Sequence, residues 1–301
     1  MARSANPVQL REEKVIPATG SRASALAWRR LRRSWSLVAG AVILSLVVFS
    51  AIFAPQISPY DPIDQDFASQ LQPPSASHLL GTDEFGRDIF SRVVFGARVA
   101  LQVGALADAI AVALGVLLGV VAGFFAGWLD AVITRVIDVM LAFPYLLLAM
   151  IVVAILGPGL TNAMVAIAFV YTPRIARVVR GVVLSVKEQE FVEAARGVGT
   201  GSFRILGRHI LPNIVSPIIV MATLTVGFMI VETAGLSFLG LGASPPTPEW
   251  GSMLATGRSF MLTAPWIATF PGLAILVTVV AFNLMGDGLR DLLDPRLRGR
   301  I

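Results

Sequence analysis

Long apolar runs, each closed by a turn or by charge, dominate the chain. Six of them recur: 36–54, closed by Pro55; 99–126; 131–156, closed by Gly157-Pro158-Gly159; 160–179; 214–234; and 266–289. Each is near or above the ~20 residues a helix needs to cross the hydrocarbon layer. The pattern predicts an all-α, polytopic membrane protein with six transmembrane helices. The fourth run is apolar only as far as Tyr171, where Pro173 and Arg174 follow, so its second half is expected to leave the membrane. Pro144 in the third run and Pro173 in the fourth are expected to kink their helices.

The segments between the runs differ in character. A polar, Arg-rich arm occupies 1–35 and lacks the apolar core of a cleavable signal peptide. The first run, 36–54, therefore reads as a retained signal-anchor. A long polar segment, 55–98, carries Asp61, Asp64 and Asp66 and then "LLGTDEFGRDIFSRVVFGAR". The remaining five spans form a core at 99–290, which includes a polar insertion at 186–212, and a short tail closes the chain at 291–301. Of the 24 Lys and Arg residues, 20 fall on one side if the N-terminus is inside. That bias predicts both termini in the cytoplasm.

Composition agrees. The chain has 301 residues, 55% of them apolar and 14% charged, with a mean hydropathy of +0.77. A soluble domain of this length could not keep so much apolar surface from water. The net charge of +5 is accounted for by the side facing the inner leaflet and needs no nucleic acid. There is no cysteine, and His78 and His209 are the only histidines. This excludes disulfides and thiolate metal sites and leaves little for a histidine-based triad. His78 reads as a loop histidine. No GxxxxGK[ST] sequence is present, so ATP binding by this chain is not expected.

The insertion is the unusual element. "VEAARGVGTGSFRILGRHILPN", Val192 to Asn213, lies between two apolar runs yet reads as two short helices. A first helix over 186–198 has Glu188, Glu190 and Glu193 toward its start and Arg196 near its end, as the helix dipole favours. Gly199 and Gly201 can end it with φ > 0. Ser202 is placed to cap a second helix over 203–211, which Pro212 breaks. Ala194 and Ala195 would give a low face open to close approach. Two readings stand on these residues alone: an interfacial hairpin sealing the membrane edge, or a docking element for another protein.

The spacing Glu193-Ala194-Ala195, then Gly199, then His209-Ile210-Leu211-Pro212 resembles the EAA loop of binding-protein-dependent ABC importer permeases. His209 stands where that pattern has Ile. "ARVVRG", "ETAGLSFLGLG", "PEWGSML" and "FNLMGDGLRDLLDPR" resemble the dipeptide/oligopeptide/nickel branch and its C-type permease. The resemblance extends from about Arg29 to about Arg298. It implies a type I importer transmembrane domain that carries short peptides. Its implied partners are a second homologous permease, two cytoplasmic ATPase domains and an extracytoplasmic substrate-binding protein. It also implies no cofactor on this chain, with ATP and Mg held by the ATPases. Glu193, Ala194, Ala195, Gly199, His209, Leu211 and Pro212 would then couple the ATPases to the spans. Nickel, glutathione or another small solute is the alternative cargo. A secondary transporter working without ATPases is the alternative of another class.

Three further features have open readings. Gly115, Gly119, Gly123 and Gly127 form a four-residue repeat that permits close packing against another span or a partner permease. Asp108 and Glu232 sit at or near membrane depth, where an ionisable group is a functional candidate. Asp108 would line a path, be buried and paired, or lie at the outer interface. Glu232 would hold the loop that follows it or meet a peptide N-terminus. Together with Pro144 they are the candidate path or gate. Asp83, Glu84, Arg87 and Asp88 are expected on a helix beginning near Thr82, with Asp83–Arg87 a surface ion pair. They would be either a solvated helix or a contact for the binding protein.

Overall fold

The computed structural model describes residues 35–293; most of the expected arm at 1–35 and of the tail at 291–301 lies outside them. Among the described residues there are helices and no strand, only an isolated bridge between Thr82 and Asp88. The elements are α1 (Trp35–Ile52), α2 (Ala54–Ile57), α3 (Ile89–Phe125), α4 (Gly127–Ala142), α5 (Tyr145–Leu156), α6 (Leu160–Lys187), α7 (Glu190–Gly197), α8 (Ser202–Ile205), α9 (Leu211–Phe238), α10 (Trp250–Gly257) and α11 (Trp266–Leu293).

Among the described residues, four helical runs are long and apolar enough to cross a membrane: α1, α3, the run Ser202–Phe238 and α11. The pair α4 and α5 makes a fifth if counted as one span, bent by 97° between Ala142 and Tyr145. Pro144 sits in that break, as its inability to donate a backbone hydrogen bond leads one to expect. Pro173 behaves differently. The helix α6 runs through it without interruption to Lys187, and Pro173 is buried within it. Helix neighbours tolerate an internal proline where packing holds the backbone, so the helix itself does not end after Tyr171. The arginines of its second half keep α6 outside the set of plainly apolar spans.

The largest helix–helix contact joins α3 and α6. A Cβ placed on Gly119 would lie 2.6 Å from the Ala176 carbonyl oxygen. One on Gly115 would lie 2.5 Å from Ile175 Cγ2, and one on Gly123 would lie 2.9 Å from Val183 Cβ. The repeat therefore packs against a span of the same chain. Gly127 leaves the stripe: it has φ +63°, opens α4 and meets nothing within 4 Å. A second close approach joins α1 and α11, where Gly40 abuts the Met285 backbone and Gly288 abuts Leu37. In lipid such contacts carry association, because tails are as apolar as the side chains they replace.

Two apolar cores follow. One gathers α3, α5, α6, α9 and the inner side of α7 and α8. The other gathers α1, α3, α10 and α11 around Trp250, whose indole nitrogen donates to the Val93 carbonyl at 3.0 Å. Replacing Gly119 by Val should disturb the first core specifically. The expected cost is about 1–3 kcal/mol, as for overpacking elsewhere. It is read as a lower thermal midpoint in detergent, with Gly181→Ala, where the added Cβ meets nothing within 4 Å, as the unaffected control.

Candidate functional site

The insertion between α6 and α9 folds as a hairpin. Its first arm, α7, starts at Glu190 rather than 186, because α6 continues to Lys187 and Glu188 closes it. Glu190 and Glu193 lie in the first turn and Arg196 in the last. Gly199 takes φ +76°. The Gly199 amide donates to the Arg196 carbonyl at 2.9 Å, and the Thr200 amide donates to the Ala195 carbonyl at 3.0 Å. This pair of bonds is the Schellman arrangement, which needs a left-handed residue at the position Gly199 holds. Gly201 has φ −65° and is not left-handed.

The second arm departs from expectation. Ser202 is the first helical residue and forms no side-chain cap; Gly201 precedes it. The helix does not stop at Pro212. It runs from Ser202 to Phe238, passing through a π turn at Leu206–Ile210 that contains His209. Pro212 is the second residue of α9, directly after the π turn that carries the helix past it. The hairpin's outer arm is thus continuous with a span.

Val192, Ala195, Ile205 and Ile210 turn inward and join the first core. Ala195 therefore does not share an open face with Ala194, which is exposed beside Glu193. On the outer side, Val198 is 82% exposed and Phe203 is 80% exposed. Sequence reasoning missed both. The available signal was two apolar residues flanking a glycine turn too tight to fold over them. Lys187 anchors the hairpin's root, its Nζ donating to the Phe124 carbonyl at the end of α3 at 2.8 Å.

At the opposite end, residues 82–88 form a tight loop, not a helix. The Asp83 carboxylate accepts from the Phe85 and Arg87 amides at 2.9 and 3.0 Å. Such local bonds compete with helix formation. The Asp83–Arg87 pair forms, at 2.6 Å, but it is buried instead of lying on the surface. Arg92 adds a second cation 3.6 Å from Asp83 and donates to the Pro62 carbonyl at 2.8 Å. Asp88 caps α3 by accepting from the Ser91 amide at 2.8 Å and also pairs with His78 at 3.0 Å. Three of the four residues expected as a contact surface are therefore internal struts. Glu84 is the partly open one, and burial pushes its carboxyl above the ordinary glutamate range. It borders a cavity of about 310 Å³ shared with Phe85, Arg92 and Met253.

Of the residues expected at membrane depth, Asp108 is enclosed between α3 and α9 at 5% exposure, where the Thr225 hydroxyl donates to it. The buried, paired reading holds for Asp108, and no open face reaches it. Glu232 is only partly buried and accepts from the Tyr171 hydroxyl at 3.4 Å. Tyr145, next to Pro144 at the break, lies near enough to Glu232 to interact with it electrostatically. The structure thus brings Pro144 and Glu232 together and sets Asp108 apart.

A helix pair broken at a proline, a polar cluster beside the break and an exposed hairpin between two helices, in a chain with several apolar spans, fit a membrane transport subunit. Comparison with known proteins agrees. Residues 115–299 match the family model "binding-protein-dependent transport system inner membrane component". Residues 24–74 match the N-terminal transmembrane domain of oligopeptide transport permease C. The chain is 46% identical over 272 residues to the dipeptide transport system permease protein DppC of Alkalihalophilus pseudofirmus, covering 90% of each. It is 51% identical over 273 residues to the glutathione transport system permease protein GsiD of Shigella flexneri serotype 5b, again covering 90% of each. Its fold is similar to a chain of the inward-facing MetNI methionine ABC transporter, with a TM-score of 0.58 at 18% identity over 68% of this chain and 97% of that one. The chain belongs to the inner-membrane component family of binding-protein-dependent transport systems. It is a multi-pass inner-membrane permease subunit of an ABC importer, and the ATPase of such importers is a separate subunit.

Removing Asp83 leaves Arg87 and Arg92 buried without their counter-ion. Asp83→Ala should therefore cost about 3–5 kcal/mol. The check is the thermal midpoint of the purified chain, with Glu84→Ala expected to change it far less.

Proposed function

We propose that this chain and a second, homologous permease enclose a path for short peptides, opened by two ATPase domains that dock on the hairpin. The supporting observation is the exposed tip. Val198 and Phe203 are apolar, open and held by the Schellman turn between the end of α7 and the start of the run into α9. A monomer gains nothing from such a tip, whereas a partner groove would cover it. Glu193, Ala194, Gly199, His209, Leu211 and Pro212 belong to the same surface or its root, and Ala195 fixes it from beneath. ATP and Mg would be held by the ATPases, with no cofactor on this chain.

The membrane arrangement in this reading has six spans: α1, α3, α4 with α5, α6, α9 and α11. The hairpin and both termini face the cytoplasm, in keeping with the distribution of Lys and Arg. The substrate-binding protein would land at the other end. There Asp83, Arg87 and Asp88 shape the loop, and exposed Phe67, Leu79 and Phe85 supply contact area. Peptide cargo is supported by the dipeptide permease relative. Glutathione, itself a small peptide, is the second reading and is supported by the 51% identity to a glutathione permease.

The Gly199→Asp variant tests the coupling role. An added Cβ there meets nothing, so the strain is confined to the left-handed backbone at about 1–2 kcal/mol. The variant should reach the membrane at normal level and lose ATP-dependent uptake. Wild-type uptake by Gly199→Asp would remove the hairpin from the mechanism.

A further inference from the structure

We infer that the open face shared by α4, α5 and α6 is the wall of a water-filled path, and that Glu232 of α9, at the edge of that face, receives the ammonium group of the passing substrate. The inference rests on the importer reading above and names the surface and the chemistry that reading leaves open.

The argument begins with depth. The 28 residues of α6 span about 42 Å at ~1.5 Å per residue. A hydrocarbon layer of ~30 Å laid anywhere along that length encloses its middle third or more. With the layer crossed by the whole of α6, Arg174 and Arg177 fall in that middle, and both are exposed. Two of the 20 Lys and Arg counted on the inner side thus lie within the layer, and 18 remain beyond it. Arg177 pairs with Asp138 of α4, the two side chains being 54% and 51% exposed. One step toward the hairpin, Arg180 makes a two-pronged bond to Asp130, each N···O distance 2.6 Å. One step the other way, the Arg174 guanidinium lies 5.9 Å from the Tyr171 ring, whose hydroxyl reaches Glu232. A ladder of charge thus descends from Glu232 to the root of the hairpin.

Such a face cannot meet lipid, because ionised side chains at this depth are expensive and turn to protein or water. Nor does it suit a dry contact with the second permease, where desolvating half-open ion pairs would exceed their attraction. The same helices have another side for apolar neighbours. Val132, Val136 and Val139 of α4 and Leu147, Ile151 and Ile155 of α5 are exposed and carry no charge. Asp130, Thr134 and Asp138 repeat every four residues on the opposite side of α4 from Val132 and Val136. Water is the neighbour that fits the charged side.

Glu232 and Arg174 are the members of this ladder that no ion pair joins at contact distance among the described residues; the Tyr171 hydroxyl donates to Glu232, and Tyr145 lies near it. Glu232 lies beside the 97° break, where Tyr145 is half exposed. A carboxylate held by a hydroxyl, with its neighbouring arginine out of contact, is built to accept a mobile cation. The α-ammonium of a short peptide matches it, and Arg174 stands close by for the peptide's carboxylate.

The chain has no cysteine, so single-cysteine probes need no background removal. The experiment uses the complete transporter, with both permeases, the ATPases and the binding protein, in proteoliposomes. Arg177→Cys and Tyr145→Cys should react with a charged, membrane-impermeant thiol reagent at least about tenfold faster than the lipid-facing control Ile155→Cys. Equal rates would overturn the wall. Glu232→Gln should lower the maximal uptake of a dipeptide about tenfold, the loss of roughly one charged contact. Half-saturation, set by the binding protein, should stay unchanged, and Glu232→Asp should recover most of the rate. Wild-type uptake by Glu232→Gln would overturn the ammonium site. If the wild-type complex takes up no short peptide, the ammonium assignment falls with the reading beneath it, and the labelling rates alone judge the wall.

Discussion

The close approach of α3 to α6 is the contact on which the rest of the molecule depends. Gly115, Gly119 and Gly123 let the two backbones meet where any side chain would collide with a carbonyl oxygen or a branched Cβ. Within a bilayer, this kind of packing replaces the hydrophobic drive that soluble proteins use. It also fixes the rotation of α6 about its own axis. With Ile175, Ala176, Val179 and Val183 turned into the contact, Arg174 and Arg177 must face the other way. The glycine stripe of one helix thereby decides where the charges of another emerge.

The same contact gives the molecule its mechanical line. The end of α6 is tied to the end of α3 by Lys187, and α7 begins three residues beyond. The return arm passes without a stop from Ser202 into the span ending at Phe238, which carries Glu232. In the proposed function, force applied at the hairpin tip would enter α6 and α9, which meet again at Tyr171 and Glu232. The break between α4 and α5 lies at that meeting point. Rigid arms converging on a discontinuous helix are what a gate operated from a distance requires.

Much of this was legible in the sequence, and the exceptions have physical causes. The apolar runs located four spans and the bent pair that makes a fifth, because length and composition alone set them. The hairpin was legible because Gly199 stands where a left-handed turn is needed, and Pro144 marked the break because nothing nearby restores its lost bond. Pro173 does not break its helix, since it is buried in α6 where that helix packs on the glycines of α3. The 82–88 loop did mislead. Its i,i+4 charges look helical, but Asp83 spends its carboxylate on the amides of Phe85 and Arg87, and Arg92 arrives from the next element. Asp108 and Glu232 were indistinguishable as isolated acidic residues at depth. Only the packing of α3 on α9 encloses one and leaves the other open.

The central claim is that the hairpin is the contact point for the ATPases. The most direct measurement attaches a short thiol-to-amine cross-linker to Ala194→Cys in the assembled transporter and identifies what it captures. The account predicts capture of an ATPase subunit from Ala194→Cys and none from Leu262→Cys, which is fully exposed at the other end of the fold. No capture from Ala194→Cys in a complex that still performs ATP-driven uptake, or equal capture from both positions, would contradict it.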